Sequence, residues 1–420
     1  MRHFSRKERK ELKMKGKNSG AVTITACVIV ELCLGILYVW SILKMDAMEF
    51  YGWDKGSANL VASFMLFAFC AGNLIGGAIN DRIGPKKTCY PGIIFFAAGV
   101  FLASCLRPGA PVYLFYLSYC ILGGLGSGIA YGALLSCIQK WLPHKIGLAT
   151  GIATSTFGFG TFGFGTVIAA MLKAMPINTV LRILSIVFIV VCLGASLFIK
   201  LPDEAYLASL PKPQKRAVNL NREDIPLSRA VKTVPFWCMM VSCFFYNGVW
   251  NMLNPLIKDL GMSRGLTETA AILCVSLTGV FNASGRFILS ALSDRIGRIG
   301  TMFILCIVTC CCGLLLTGIG GPAYLVIVLL TAFVFGGPAA IHPAIVSDFF
   351  GLKYTGTNYG VVMLGLGFSS LFFNFVSNKM YAATGAYKLT FIMGAASALV
   401  ALGSMAVIRY NLKKREARNG

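Results

Sequence analysis

A ladder of apolar runs limits what this chain can fold into. Twelve of them, near 20–43, 58–80, 88–106, 112–139, 145–171, 178–199, 235–257, 267–293, 299–317, 322–347, 356–378 and 386–410, follow one another with short polar connections. Crossing a bilayer takes ~20 apolar residues of helix. At that depth no water is available, so each run must bond its own backbone groups and is expected to be an α-helix. Composition agrees: 56% of residues are hydrophobic, 13% are charged and mean hydropathy is +0.73, whereas a soluble domain carries about 25% charged residues. The first run is a full span with no small-residue cleavage site, so it does not read as a signal peptide.

The net charge of +22 would suit a nucleic-acid binder, but its distribution does not. With twelve spans both termini lie on one side. The termini, the even-to-odd loops and their flanks then hold 28 of the 38 lysines and arginines. The positive-inside rule places that side in the cytoplasm. The expectation is a multi-pass protein of the plasma (inner) membrane, with both termini cytoplasmic, lipid as its surroundings and no nucleic-acid partner. All fifteen cysteines fall inside the runs, without the spacing of a metal site. They read as small apolar filler, and neither metal nor cofactor is expected.

The tetrapeptide DRIG occurs at 81–84 and again at 294–297, 213 residues apart in a chain of 420. A repeat at half the chain length, in the same kind of short loop, implies two six-span repeats. The expected organisation is a basic tail (1–19), an N-terminal bundle (20–199), a polar linker (200–234) able to hold a short surface helix, a C-terminal bundle (235–410) and a basic tail (411–420). Asp81 and Asp294 are expected to cap the N-terminus of the next helix, with Arg82 and Arg295 bridging to a neighbouring helix end. Such contacts would hold one conformation and break in another. The glycine-rich stretches 123–132 and 147–165 read as surfaces for close helix packing.

Polar residues inside the runs are the candidate site. Span 8 carries Arg286, whose guanidinium keeps its charge at any accessible pH. Gly279, Asn282, Arg286, Ser290 and Ser293 share one face by helical spacing. The face is expected to line a cavity in which Arg286 holds a carboxylate. The competing reading is an arginine that snorkels to the cytoplasm or pairs with a structural acid. Arg286 stands eight residues from Asp294, roughly 12 Å along the helix, a long reach for snorkelling. Span 1 places Glu31, Gly35 and Tyr38 on one face. An ionised carboxylate there is costly, so Glu31 is either a proton carrier or a partner for a basic group such as Arg286. His342 in span 10 could carry a proton, or be a satisfied ring bracing a helix that also contains Pro338 and Pro343. Tyr131 is the polar exception in span 4.

Four segments then carry a resemblance: GILYVWS (35–41), GLATGIATSTFGFG (147–160), NASGRFILSALSDRIGR (282–298) and TGTNYGV (355–361). With two DRIG halves they resemble the major facilitator superfamily and, within it, the oxalate/formate antiporter family, near the monocarboxylate transporters. The resemblance implies an all-α fold of twelve transmembrane helices in two six-helix repeats, working by alternating access around a midplane site. It implies that Arg286 binds substrate carboxylate, with Asn282, Tyr38 and Tyr131 beside it. Two positions depart from the family's loop motif, Pro85 and Ser290. A third departure concerns cargo: where oxalate carriers of the family place a lysine in span 11, this chain has Leu366. One cation suits one carboxylate, because each unpaired buried ion costs several kcal/mol. The expected cargo is a small monocarboxylate such as lactate, pyruvate or formate, moved with a proton or by exchange, by a functional monomer. An oxalate/formate-type dicarboxylate exchanger and an efflux carrier for amphipathic compounds are the alternatives. No P-loop, HExxH or GxSxG is present, so an enzyme is not expected.

Overall fold

The computed structural model describes the backbone of residues 6–209 and 224–419; side chains are described for 18–207 and 224–412, except 37, 38, 41, 55, 161 and 162. Among these residues the protein is helical throughout, without strands. Ten helices are long and apolar enough to cross a membrane. They are span 2 (Lys55–Ile83), span 3 (Pro85–Ser104), span 4 (Val112–Trp141), span 5 (Ile146–Ala174), span 6 (Ile177–Ser196), span 8 (Glu268–Ile296), span 9 (Arg298–Leu315), span 10 (Gly321–Phe350), span 11 (Thr355–Thr384) and span 12 (Lys388–Asn419).

The remaining two of the twelve expected spans are interrupted. Span 1 runs through Arg6–Leu34, tightens into a 3-10 turn at Gly35–Val39 and continues as Trp40–Tyr51. Span 7 is Val234–Tyr246, Gly248–Leu253, a 3-10 turn at Asn254–Leu256 and Ile257–Ser263. Pro255 lacks the N–H that an unbroken helix would need. Each interruption falls in the first span of its half. In the linker, Glu204–Ser209 is a short helix and Leu227–Ala230 a single turn; residues 210–223 lie outside the described part.

Close packing depends on glycine where two backbones meet. A Cβ at Gly128 in span 4 would stand 2.0 Å from the Phe69 carbonyl of span 2, and one at Gly285 in span 8 would stand 1.9 Å from the Phe333 carbonyl of span 10. No side chain fits at either crossing. The fifteen cysteines are free thiols, mostly buried, as expected of apolar filler.

The two halves meet along two seams, span 2 against span 11 and span 5 against span 8. At the first, a Cβ on Gly77 would stand 2.1 Å from the Gly356 carbonyl. At the second, Ser290 Oγ donates to the Gly147 carbonyl at 2.6 Å and lies 3.2 Å from Thr150 Oγ1. Ser347 of span 10 adds a bond to Gln139 Oε1 of span 4 at 3.1 Å. Among the described residues, these cross-half side-chain bonds cluster at the side of the bundle carrying both chain termini. The one farthest from that side is made by Arg286.

Candidate functional site

Span 8 is long, apolar on its outer faces and capped at its start by Thr267, whose hydroxyl accepts from Ala270 N. Its inward face holds Thr278, Asn282, Arg286, Ser290 and Ser293, all buried. Four of the five residues expected on the stripe lie there, while Gly279 is only half-buried with open space around its Cβ position, and Thr278 takes its place. Arg286 is only 4% exposed. Its Nε donates to Asn282 Oδ1 at 2.8 Å, one turn earlier, and its Nη1 donates to the Thr154 carbonyl of span 5 at 3.0 Å. The guanidinium therefore turns across the seam into the other half, and not toward lipid or the nearer polar layer. It lies ten residues from the end of span 8 at Ile296, roughly 15 Å at 1.5 Å per residue, half the thickness of a bilayer core of ~30 Å.

Across the seam, Tyr131, Phe157 and Phe69 form an aromatic wall. Tyr131 lies 5.0 Å from Phe69 and 5.3 Å from Phe157, and those two rings are 5.2 Å apart. Tyr359 of span 11 is buried and within electrostatic reach of both Tyr131 and Arg286. Glu31 is 0% exposed. Neither of its carboxylate oxygens has a hydrogen-bond partner among the described residues, and Arg286 is within electrostatic reach. Gly35, one turn on, packs on the Phe157 carbonyl, where a Cβ would stand at 2.1 Å. This contact holds the Glu31 face of span 1 against span 5. The backbone of Tyr38 sits in the 3-10 turn, while its side chain lies outside the described residues.

His342 is engaged elsewhere. Its Nδ1 is 2.9 Å from the Pro338 carbonyl and its Nε2 is 3.2 Å from Ser242 Oγ. A carbonyl only accepts, so Nδ1 carries a proton; a neutral ring then accepts from Ser242 at Nε2. Nδ1 bonds back within span 10, Nε2 ties span 10 to span 7, and the ring is buried.

The two DRIG aspartates act at the seams. Asp81 Oδ2 accepts from Thr357 N at 2.9 Å and from Thr357 Oγ1 at 2.5 Å. Asp294 accepts from Gly147 N and Leu148 N, both at 3.0 Å. Each carboxylate thus sits on a helix N-terminus where backbone N–H groups lack intrahelical partners. That helix is not the next one in sequence, as expected, but one in the opposite half: span 11 for Asp81, span 5 for Asp294. The expected bridges from Arg82 and Arg295 are absent among the described residues; both side chains are exposed. The bridging cation is Arg298, which pairs with Asp294 Oδ1 at 3.0 Å, with Asp348 Oδ2, and with Ser293 Oγ at 3.3 Å. The first half has Pro85 where this cation would stand.

Residues not singled out from sequence are Thr154, Tyr359, Thr357 and Asp348. Tyr359 belongs to the TGTNYGV segment, as a polar ring in an apolar run. Thr154 contributes a carbonyl, for which a sequence carries no signal. No group of three or more His, Cys, Asp or Glu side chains able to hold a metal occurs among the described residues.

Residues 25–374 match the Major Facilitator Superfamily. The chain is 26% identical over 366 residues to the uncharacterized MFS-type transporter YhjX of Escherichia coli (strain K12), covering 83% of this chain and 85% of that one. It is 22% identical over 352 residues to the oxalate:formate antiporter of Oxalobacter formigenes, covering 83% and 82%. It is 22% identical over 489 aligned positions to apicoplast pyruvate carrier 1 of Toxoplasma gondii, covering 91% and 88%. In fold it is similar to the proton:xylose symporter XylE, with a TM-score of 0.72 over 93% of this chain and 96% of that one at 15% identity. It is also similar to FucP in the outward conformation, with a TM-score of 0.69 over 93% and 99% at 15% identity.

Proposed function

The chain belongs to the Major Facilitator Superfamily, and from that premise we propose that it is a secondary carrier of small organic monoanions, moved together with a proton by alternating access. The observation that carries the reading is Arg286, a permanent charge at mid-membrane depth whose guanidinium reaches across the seam between the halves. A substrate carboxylate bound there would draw on charge-assisted, forked hydrogen bonding. Asn282 fixes the arginine's orientation, and Tyr131, Tyr359 and Tyr38 are the proposed hydroxyl donors around the anion. Because Arg286 contacts both halves, occupancy by an anion alters the interaction that joins them. Rocking of one half against the other is the motion such carriers use.

Glu31 is the proposed proton site. A fully buried carboxyl group with no hydrogen-bond partner among the described residues, close to a fixed cation, is poised to take up or release a proton as an anion comes and goes. We assign His342 to bracing, since both its ring nitrogens are engaged within the second half. The preference for one carboxylate over two rests on Leu366, an apolar side chain packed against the core where a second cation would have stood. The names of two relatives, an oxalate:formate antiporter and a pyruvate carrier, support small carboxylates as the class. By the positive-inside rule the side on which the cross-half bonds cluster is cytoplasmic, and these bonds are the proposed seal of that side. Asp81 and Asp294 are the proposed latches of that seal.

The test is uptake of labelled one- to four-carbon acids by reconstituted vesicles, with and without an imposed pH gradient. Monocarboxylate uptake stimulated by inward acid is the expected result. Better exchange of oxalate than of lactate, pyruvate or formate would sink the monoanion reading.

A further inference from the structure

Asp224 lies outside every span, where the connection between the halves reaches the second one. Its Oδ1 accepts a hydrogen bond from Lys353 N at 3.0 Å. The next residue is held from two sides: Ile225 N donates to the Phe350 carbonyl at 2.8 Å, and the Ile225 carbonyl accepts from Asn358 Nδ2 at 2.9 Å. Residues 224 and 225 are therefore fastened into the turn between spans 10 and 11. That turn bends at Gly351, whose φ is +82°, a conformation that side chains other than glycine rarely adopt. A Cβ there would also stand 2.3 Å from Asp224 Oδ1. Glycine at 351 thus supplies the bend and leaves room for the carboxylate.

A few residues beyond this turn, Thr357 presents the N–H and hydroxyl that hold Asp81 of the first half. Asn358, which grips Ile225, is the neighbour of Thr357 in the chain. The same short segment is bound to the linker on one side and to the first half on the other. We propose that Asp224 is a positioning residue for the seal: it fixes the 351–354 turn and so places the N-terminus of span 11 where Asp81 can cap it. The coupling runs through a contiguous set of hydrogen bonds, each named above. The inference rests on the alternating-access reading, because a seal matters to transport only if it opens.

The experiment compares Asp224→Ala and Asp224→Asn with the wild type, full-length in lipid nanodiscs, by amide hydrogen exchange. Exchange needs no substrate, so a failure of the transport assignment would show separately as absent uptake by the wild type. In Asp224→Ala, the amides of Gly147 and Leu148 are expected to exchange about ten-fold faster, since losing the bond that fixes the 351–354 turn displaces the N-terminus of span 11, weakens its hold on Asp81 and so loosens the whole closure. These amides belong to the other seam and the other half, so a merely local defect would not move them. Asp224→Asn keeps an acceptor oxygen and is expected to restore protection to within about two-fold of the wild type. Gly351→Ala disturbs the same latch from its other side and should reproduce the alanine pattern. Faster exchange confined to residues 350–354, with Gly147 and Leu148 unchanged, would overturn the proposal, as would an asparagine variant no better than alanine.

Discussion

At the scale of single residues, Arg286 separates charge from geometry. A lysine at the same place would keep the charge but lose the planar fork that lets Nε meet Asn282 while Nη1 meets Thr154. Arg286→Lys is therefore expected to lower carboxylate uptake by about 100-fold, the loss of ~3 kcal/mol of oriented, charge-assisted bonding. Equal protein in the membrane, checked by immunoblot of the vesicles, makes that loss attributable to the site. Glu31→Gln keeps the shape of the side chain and removes its ability to release a proton. Stimulation of uptake by an acid gradient is expected to vanish, while counterflow of one anion against another persists. A variant that still responds to the gradient as the wild type does would remove Glu31 from the proton route. The sequence revealed both residues because ionisable groups in an apolar run stand out. It did not reveal Thr154 or the pairing with Asn282, since a backbone carbonyl has no sequence signature and a helical face names neighbours without saying which way a fork turns.

At the scale of elements, the apolar runs made ten continuous spans legible, and the twelve-span ladder survives once the two broken spans are counted. What stayed hidden was the break itself at Gly35–Val39. Nothing in GILYV forbids an α-helix. The turn tightens where Gly35 is pressed onto the Phe157 carbonyl of span 5, a tertiary contact invisible to local pattern. In span 7, Asn254 and Pro255 did announce irregular backbone. Crossings built on glycine make a second expectation. Gly285→Ala would drive a Cβ to 1.9 Å from the Phe333 carbonyl, forcing spans 8 and 10 apart. A cost of about 1–3 kcal/mol is expected for such overpacking, read as a lower melting temperature in detergent. Gly279, which has open space around its Cβ position, is the control, and Gly279→Ala should leave the melting temperature nearly unchanged.

At the scale of the whole molecule, the half-chain repeat of DRIG disclosed the two-fold plan, but not which helix each aspartate would cap. The sequence suggests the nearest helix; the fold uses span 11 and span 5, each in the opposite half, because the repeat's pseudo-symmetry brings those N-termini to the seams. The repeat is also imperfect. Asp294 is paired with Arg298, which also holds Asp348, whereas Asp81 is held by Thr357 and, at 3.4 Å, by Asn80 Nδ2, with Pro85 in the place of the cation. Removing Asp294 is therefore expected to disturb the termini side more than removing Asp81. In Asp294→Ala, a cysteine placed at Thr150 should react with a membrane-impermeant maleimide from that side several-fold faster than in Asp81→Ala. Equal reactivity in the two variants would mean that the extra charges around Asp294 do not strengthen its seam.

The contact of Gly77 with Gly356 has a mechanical corollary. Where bare backbone rests on bare backbone, no knobs have to be lifted out of holes before the surfaces slide apart. Friction along that line is low, and resistance to parting is concentrated in a handful of polar hooks at the rim. A carrier built this way can have its turnover retuned by replacing one carboxylate, leaving the shape of its interior untouched.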